Sequence, residues 1–205
     1  MPQEVISRKT KTNLETLKRI GILKGFYLAG GTGLALQLKH RLSVDLDFFT
    51  QKDFNTKNLI QKLKKTGKLS VEKKTEDTLI CGLNGTRLAF FKYDYPLLVS
   101  FKKFYGLKVA DIKDIGCMKI DAISSRGAKK DFIDLFFICQ KTISLEKLLR
   151  IFKKKYKSVD YNIIHIFKGL TYFEDAERNP MPKMIISVSW GKVKDFFKKE
   201  IQNIK

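Results

Sequence analysis

An α+β protein is predicted, with a mixed β-sheet flanked by helices in the first half and a helical C-terminal half. Short apolar stretches of period two, punctuated by Gly and Asn, crowd between residues 26 and 92. From residue 111 onward they give way to helix caps followed by apolar positions three and four apart. No internal repeat or low-complexity segment breaks this order. The expected division is a sheet-bearing region over residues 1–110 and a helical region over 111–205 that closes a cleft.

Taken in order, Thr12-Asn13-Leu14-Glu15 has the form of a capping box. The helix it opens carries a stripe of Leu14, Leu17 and Ile20, ends near Gly21 or Gly25, and is expected to pack under the first strand. That strand is Phe26–Ala29, an apolar run bounded by Gly30-Gly31. Thr32 is placed to cap the next helix, with Leu34, Ala35, Leu36 and Leu38 as its apolar face. Arg41–Ser43 reads as a turn. Strict alternation follows, which puts Val44, Leu46 and Phe48 on one face of a strand and Asp45, Asp47 and Phe49 on the other. Asn55 or Thr56 caps a helix through Thr66, with Leu59, Ile60 and Leu63 inward and Gly67 closing it. Strands are predicted over Leu69–Lys73, Thr78–Leu83 and Thr86–Lys92. Asn84-Gly85 joins the last two as a two-residue hairpin.

In the second half, Asp111–Ser124 reads as a helix that buries Ile112, Ile115, Met118, Ala122 and Ile123, with Lys119 on a different face from Met118. Arg126-Gly127 breaks it. Ala128–Gln140 follows, with Phe132, Leu135, Phe136 and Cys139 apolar. Ser144 caps a helix with Leu145, Leu148, Leu149 and Phe152 inward, and Tyr161–Leu170 forms another. Pro180-Met-Pro182 cannot continue a helix. Ser189 caps the last one, which packs through Trp190, Val193, Phe196, Phe197 and Ile201.

The stretch from Phe26 to Phe49 carries the chemistry. Two carboxylates on one strand face raise each other's pKa unless a cation sits between them. A hard divalent ion that prefers oxygen, magnesium or manganese, is the natural counter-charge for Asp45 and Asp47. Gly30 and Gly31 let backbone N–H groups approach a phosphate, and the helix start adds a favourable dipole. A phosphate cradle beside a metal-binding carboxylate pair is what phosphoryl or nucleotidyl transfer needs.

On these residues the sequence resembles a known family. Gly30-Gly31-Thr32 followed by Asp45-Leu46-Asp47 is similar to the first motif of the DNA-polymerase-β-like nucleotidyltransferases. The fuller run AGGTGLALQLKHRLSVDLDFF resembles the AbiEii-type nucleotidyltransferase toxins of bacterial abortive-infection systems. KIDAISSRGAKKDFIDLFF and LTYFEDAERNPMP extend the likeness over nearly the whole chain. The resemblance implies a nucleotidyltransferase-like sheet and transfer of a nucleotide from an NTP to an acceptor hydroxyl. It also implies a toxin encoded beside an antitoxin, and RNA acceptors, the tRNA end in particular. Asp45 and Asp47 would hold the metals, and Gly30, Gly31 and Thr32 the phosphates. Lys119 would hold the triphosphate, Arg126 would lie with it across the cleft, and Asp131 would be functionally required. The alternative for Arg126, Asp131 and Asp134 is a structural ion-pair network. Relatives carry a third carboxylate on a neighbouring strand, where this chain has Ala89. Asp94 is the nearest acid, and it precedes Tyr95-Pro96, where the strand should end. The general base is left to Asp94, Asp131 or the substrate.

Composition frames this reading. Three scattered cysteines, Cys81, Cys117 and Cys139, with only two histidines, argue against a disulfide framework or a zinc site. No apolar run approaches a membrane span, and MPQEVISRKTKTN lacks a signal-peptide core, so a cytoplasmic protein is expected. The net charge of +20 invites RNA, yet only seven of the 41 basic residues are Arg. The runs Lys62–Lys65 and Lys153–Lys157 read as solvated helix faces, with RNA contact as the second reading. The missing acid at Ala89 leaves open a nucleotidyltransferase fold that only binds RNA or protein.

Overall fold

The computed structural model describes residues 5–204; the first four residues of the N-terminal segment considered above lie outside it. α1 (Arg8–Arg19) starts a turn earlier than the capping box suggests. Ser7 Oγ accepts from Thr10 N at 3.1 Å, while Thr12 Oγ1 donates to the Arg8 carbonyl inside the helix. Because Ser7 supplies the cap, Thr12 has no orphan N–H to satisfy. Leu14 and Leu17 are buried and Ile20 is exposed. Asn13, on the buried face, donates to the Leu83 carbonyl at 3.0 Å and to Thr86 Oγ1 at 2.8 Å. The helix is thereby tied to a hairpin further along the chain.

β1 (Tyr27–Leu28) leads into α2 (Gly30–Leu38), then β2 (Leu46–Thr50), α3 (Thr56–Lys64), β3 (Leu69–Lys74), β4 (Thr78–Leu83) and β5 (Thr86–Lys92). Asn55 caps α3, its Oδ1 accepting from Asn58 N at 2.9 Å. Asn84 and Gly85 both take positive φ, 49° and 72°, as a two-residue turn between antiparallel strands requires. A second hairpin, β6 (Lys102–Phe104) and β7 (Leu107–Val109), was not anticipated. It turns on Tyr105-Gly106, with φ of 51° and 71°. The sheet order is β3-β4-β5-β2-β1-β7-β6, with β2 parallel to β5, antiparallel to β1, and β1 parallel to β7.

Alternation along the strands gives the sheet two faces. Leu28, Leu46, Phe48, Leu88 and Phe90 pack on Leu14, Leu17, Leu59 and Leu63 from α1 and α3. The predicted apolar face of the second strand thus holds from Leu46 onward. Val44, expected to share it, lies before the strand and is 59% exposed. Tyr27 and Ala29 point the other way, into a core built by α4 (Ile112–Arg126), α5 (Lys129–Lys141), α6 (Leu145–Lys155), α7 (Ile163–Thr171) and α9 (Trp190–Asn203), with the short α8 (Glu174–Glu177) between the last two. α5 is buried nearly all round, through Phe132, Ile133, Leu135, Phe136, Phe137 and Ile138. Met118 and Ala122, expected inside, are only half-buried, because α4 turns other residues inward.

Asp114, one of those inward residues, pairs with a lysine of α6 and corrects the lysine reading. Within Lys153–Lys157, Lys155 is 0% exposed, its Nζ donating to Asp114 Oδ1 at 2.8 Å and to the Pro96 carbonyl at 2.6 Å. Asp114 in turn accepts from the N–H groups of Leu98 and Val99. A buried ammonium is tolerable when paired and hydrogen-bonded in this way. The segment after Pro180-Met-Pro182 also does more than link. Leu42 N donates to the Lys183 carbonyl at 2.8 Å, and Ile185 N and Ile186 N both donate to the His40 carbonyl. The C-terminal segment therefore straps the loop before β2. No helix among the described residues is long and apolar enough to cross a membrane.

Candidate active site

The loop His40–Asp45 and the turn Gly30-Gly31 meet on the face of the sheet that carries Asp47. Gly30 takes φ +60°, and a Cβ there would stand 2.3 Å from Asp47 Oδ2. A Cβ on Gly31 would stand 2.4 Å from Arg41 Nη2. The bare glycines thus admit the Asp47 carboxylate on one side and the Arg41 guanidinium on the other. The first bond of α2 runs from Gly33 N to the Ala29 carbonyl, so Gly30, Gly31 and Thr32 present the N–H groups of the helix start. Thr32 is not a cap. Its buried hydroxyl donates to the Asp45 carbonyl and lies 2.8 Å from Ser43 Oγ, bolting the helix to the segment that carries Asp45.

Asp45 immediately precedes β2 and Asp47 is its second residue. Both are partly buried. Burial pushes the Asp47 carboxyl above the usual carboxylate range; Lys119 opposes the shift and Asp45 adds to it. In the parallel pairing of β2 with β5, Asp47 stands opposite Ala89, which therefore shares its face. Ala89, at or next to where the resemblance leads one to expect a third carboxylate, is buried. Asp94 lies five residues beyond Ala89, past the end of β5, and is exposed; the fully extended chain between them spans roughly 17 Å. Register places it away from the carboxylate pair.

Across from the pair lies a buried charge network. Lys119 Nζ donates to Asp131 Oδ1 at 2.6 Å and sits 2.7 Å from Asp134 Oδ2. Arg126 donates to Asp131 Oδ2 at 2.8 Å. Arg41 grips Asp134 with two parallel bonds, Nε to Oδ1 at 2.7 Å and Nη2 to Oδ2 at 2.8 Å. His40 Nε2 is 2.7 Å from Asp134 Oδ1, while its Nδ1 is buried without a partner. Burial alone would raise the Asp134 carboxyl, but Lys119 and Arg41 outweigh it and hold it well below the usual range. Asp131 is held low against burial by Lys119 and Arg126. Burial lowers His40, so its ring is neutral near neutral pH and donates to Asp134.

The structure thus brings Gly30, Gly31, Asp45, Asp47, Lys119, Arg126 and Asp131 to one region. Thr32 joins them through its backbone only. Asp131 lies behind Lys119 and Arg126, with both oxygens engaged. His40 and Arg41 were missed. Arg41 reads as the start of a turn and His40 as no site residue, and nothing local marks them, since their partner Asp134 is 93 residues from Arg41. Among the described residues no group of three or more His, Cys, Asp or Glu side chains is placed to hold a metal.

Comparison with known proteins places the chain in a family. The family described as nucleotidyl transferase AbiEii toxin of type IV TA systems matches residues 14–202. An uncharacterized protein of Aquifex aeolicus (strain VF5) is 39% identical over 202 residues, covering 96% of each chain. Among solved structures, JHP933 from Helicobacter pylori shares the fold with a TM-score of 0.53 at 19% identity, over 96% of this chain and 92% of that one. ANT(2″)-Ia, solved in complex with adenylyl-2″-tobramycin, does so with a TM-score of 0.54 at 12% identity, over 71% of this chain and 97% of that one.

Proposed function

The chain belongs to the family of AbiEii nucleotidyltransferase toxins of type IV toxin–antitoxin systems, and from that premise we propose that it transfers NMP from an NTP to an acceptor hydroxyl of RNA, releasing pyrophosphate. The observation that carries this reading is the meeting of the glycine turn, the Asp45–Asp47 segment and Lys119 on one face of the sheet. The donor set fits a hard divalent cation. Two carboxylate oxygen donors lie together, one of them pushed up by burial and by its neighbour. Asp45 and Asp47 are the residues that would hold magnesium or manganese. When bound, the ion supplies neutralisation of the phosphates and of the leaving pyrophosphate.

The chain's own residues divide the remaining work. The N–H groups of Gly30, Gly31 and Thr32 bind phosphate oxygens at the start of α2. Lys119, buried and held between Asp131 and Asp134, lends its positive field to the triphosphate, and Arg126 offers the exposed part of its guanidinium; its side chain is 58% exposed. Asp131 holds both cations in place. A carboxylate kept this low by two cations is a poor proton acceptor. Ala89 supplies no carboxylate, and Asp94 is out of register. The acceptor hydroxyl therefore passes its proton to a phosphate oxygen of the substrate as it attacks the α-phosphorus.

The acceptor to test first is the tRNA end, and the setting is an abortive-infection-type system in the cytoplasm, with the antitoxin encoded nearby. The deciding experiment incubates the protein with NTPs labelled at the α-phosphate, total RNA and magnesium. Transfer of label to RNA is expected, to be lost with EDTA and in Asp47→Asn. NTP binding with no transfer to any RNA would sink the reading and leave a binding module.

A further inference from the structure

A cavity of about 430 Å³ opens where the C-terminal ends of α4 and α7 meet α8. Arg126 and Ser125 enter it from α4, His165 and Lys168 from α7, and Tyr172 and Asp175 from the stretch LTYFEDAERNPMP. That stretch has two sides. Phe173 packs on Phe132 and Trp190, Ala176 is buried, and Glu177 accepts from Trp190 Nε1 and Lys194 Nζ. Those contacts explain its structural half. Tyr172, 49% exposed, and Asp175 take no part in that packing and face the cavity instead.

Resting on the nucleotidyltransferase reading above, we infer that this cavity receives a nucleotide unit of the single-stranded RNA acceptor. Its size lies within the usual range for a small-ligand site. Lys168 is a cation for a phosphodiester, and Arg126, the cation that also serves the triphosphate, lines the same space. A cation at a helix end is by itself an ordinary dipole partner. Here two of them, from different helices, open into one space that also contains an aromatic ring. Tyr172 donates its hydroxyl to Glu174 Oε2 at 2.8 Å, which fixes the ring as a surface for a base to stack on. Ser125 Oγ donates its proton to the Asp121 carbonyl at 2.9 Å, leaving oxygen lone pairs to accept from a sugar hydroxyl or an exocyclic amine. Asp175 adds a further acceptor, which a ribose 2′-hydroxyl or a base amine satisfies and a triphosphate does not. Arg126 belongs both to this cavity and to the pair with Asp131, so a nucleotide held here lies beside the Arg126–Asp131–Lys119 network whose charges act on Asp47.

The test uses Lys168→Glu and Tyr172→Ala, both at exposed positions, with melting curves confirming that each folds as the parent does. Anisotropy of a short fluorescein-labelled oligoribonucleotide reads acceptor binding, and titration with NTP and magnesium reads nucleotide binding. Each variant is expected to weaken the oligoribonucleotide by about tenfold. Lys168→Glu should also lower the salt slope by about one. NTP affinity and kcat should stay near the parent's while the KM for RNA rises. Equal weakening of NTP would assign the cavity to the triphosphate substrate and overturn the inference. Parental affinity for RNA in both variants would overturn it too. If the parent transfers no label but the variants still lose RNA affinity, the reaction has been misread and the cavity assignment stands.

Discussion

At the scale of single residues, Asp47 is placed at a cost to the fold. Its carboxyl is raised by burial, so ionising it near neutral pH opposes folding. Asp47→Asn removes that cost. It should abolish transfer while leaving the protein as stable as the parent or up to about 1 kcal/mol more so. Denaturant melts with a transfer assay check this; a clear loss of stability would mean that the carboxylate holds the fold. Asp131 is the opposite case. Its removal leaves buried Lys119 with Asp134 as its one carboxylate, and should cost less than the roughly 3–5 kcal/mol typical of a wholly unpaired buried charge. If Asp131 acts only by holding Lys119 and Arg126, then Asp131→Asn added to Lys119→Met should lose little further kcat/KM. Additive losses in that double-mutant cycle would give Asp131 a role of its own.

At the scale of elements, the loop His40–Asp45 is held from three directions: by Asp134 through His40 and Arg41, by Thr32, and by the strap Lys183–Ile186. That is how an irregular segment can present Asp45 at a defined place. Gly30→Ala should break the arrangement, since the new methyl meets both a left-handed backbone and Asp47 Oδ2. A stability loss of about 1–2 kcal/mol for the backbone alone, with loss of transfer, is the expected outcome. The same reasoning applies to α4 and α6, locked by Asp114 and Lys155. Asp114→Asn should lose about 3–5 kcal/mol, and adding Lys155→Met should recover much of it, because no unpaired ammonium is then left inside. Chemical denaturation of the two variants decides the point.

At the scale of the whole molecule, the buried groups set how stability follows pH. Asp131 and Asp134 are held low, so their contribution is complete above the unfolded carboxylate value of about 3.9 and is lost as pH falls through their depressed native values. His40 acts sooner. Its native pKa is lowered, so below about 6.5 the unfolded chain takes a proton that the native ring resists. Stability should fall between about pH 7 and pH 5 by at most about 1.4 kcal/mol per pH unit from this group. His40→Gln, which keeps a donor for Asp134 and does not titrate, should flatten that slope. An unchanged slope would clear His40 of it. The field of the +20 chain acts at the same scale, and RNA affinity should drop steeply between low and physiological salt.

What the sequence by itself determined was what depends on neighbours along the chain. The hairpin at Asn84-Gly85 and the caps at Asn55, Ser144 and Ser189 are local geometry, so they were legible; the alternation through Val44 and Asp45 was not, since β2 begins only at Leu46. The start of α1 was missed because two hydroxyl side chains five residues apart can each cap it, and Ser7 takes the role. Tertiary structure decided which charges are inside. Helical spacing sets Lys155 on the Leu148–Phe152 stripe and Lys153 and Lys154 off it, but only the arrival of Asp114 and the Pro96 carbonyl makes its burial tolerable. His40 and Arg41 became part of the site because Asp134 folds against them from 93 or more residues away. The place of Ala89 opposite Asp47 follows from strand register, which long-range pairing sets. A buried ion is stable only with its partner, and that partner is fixed by the folded chain.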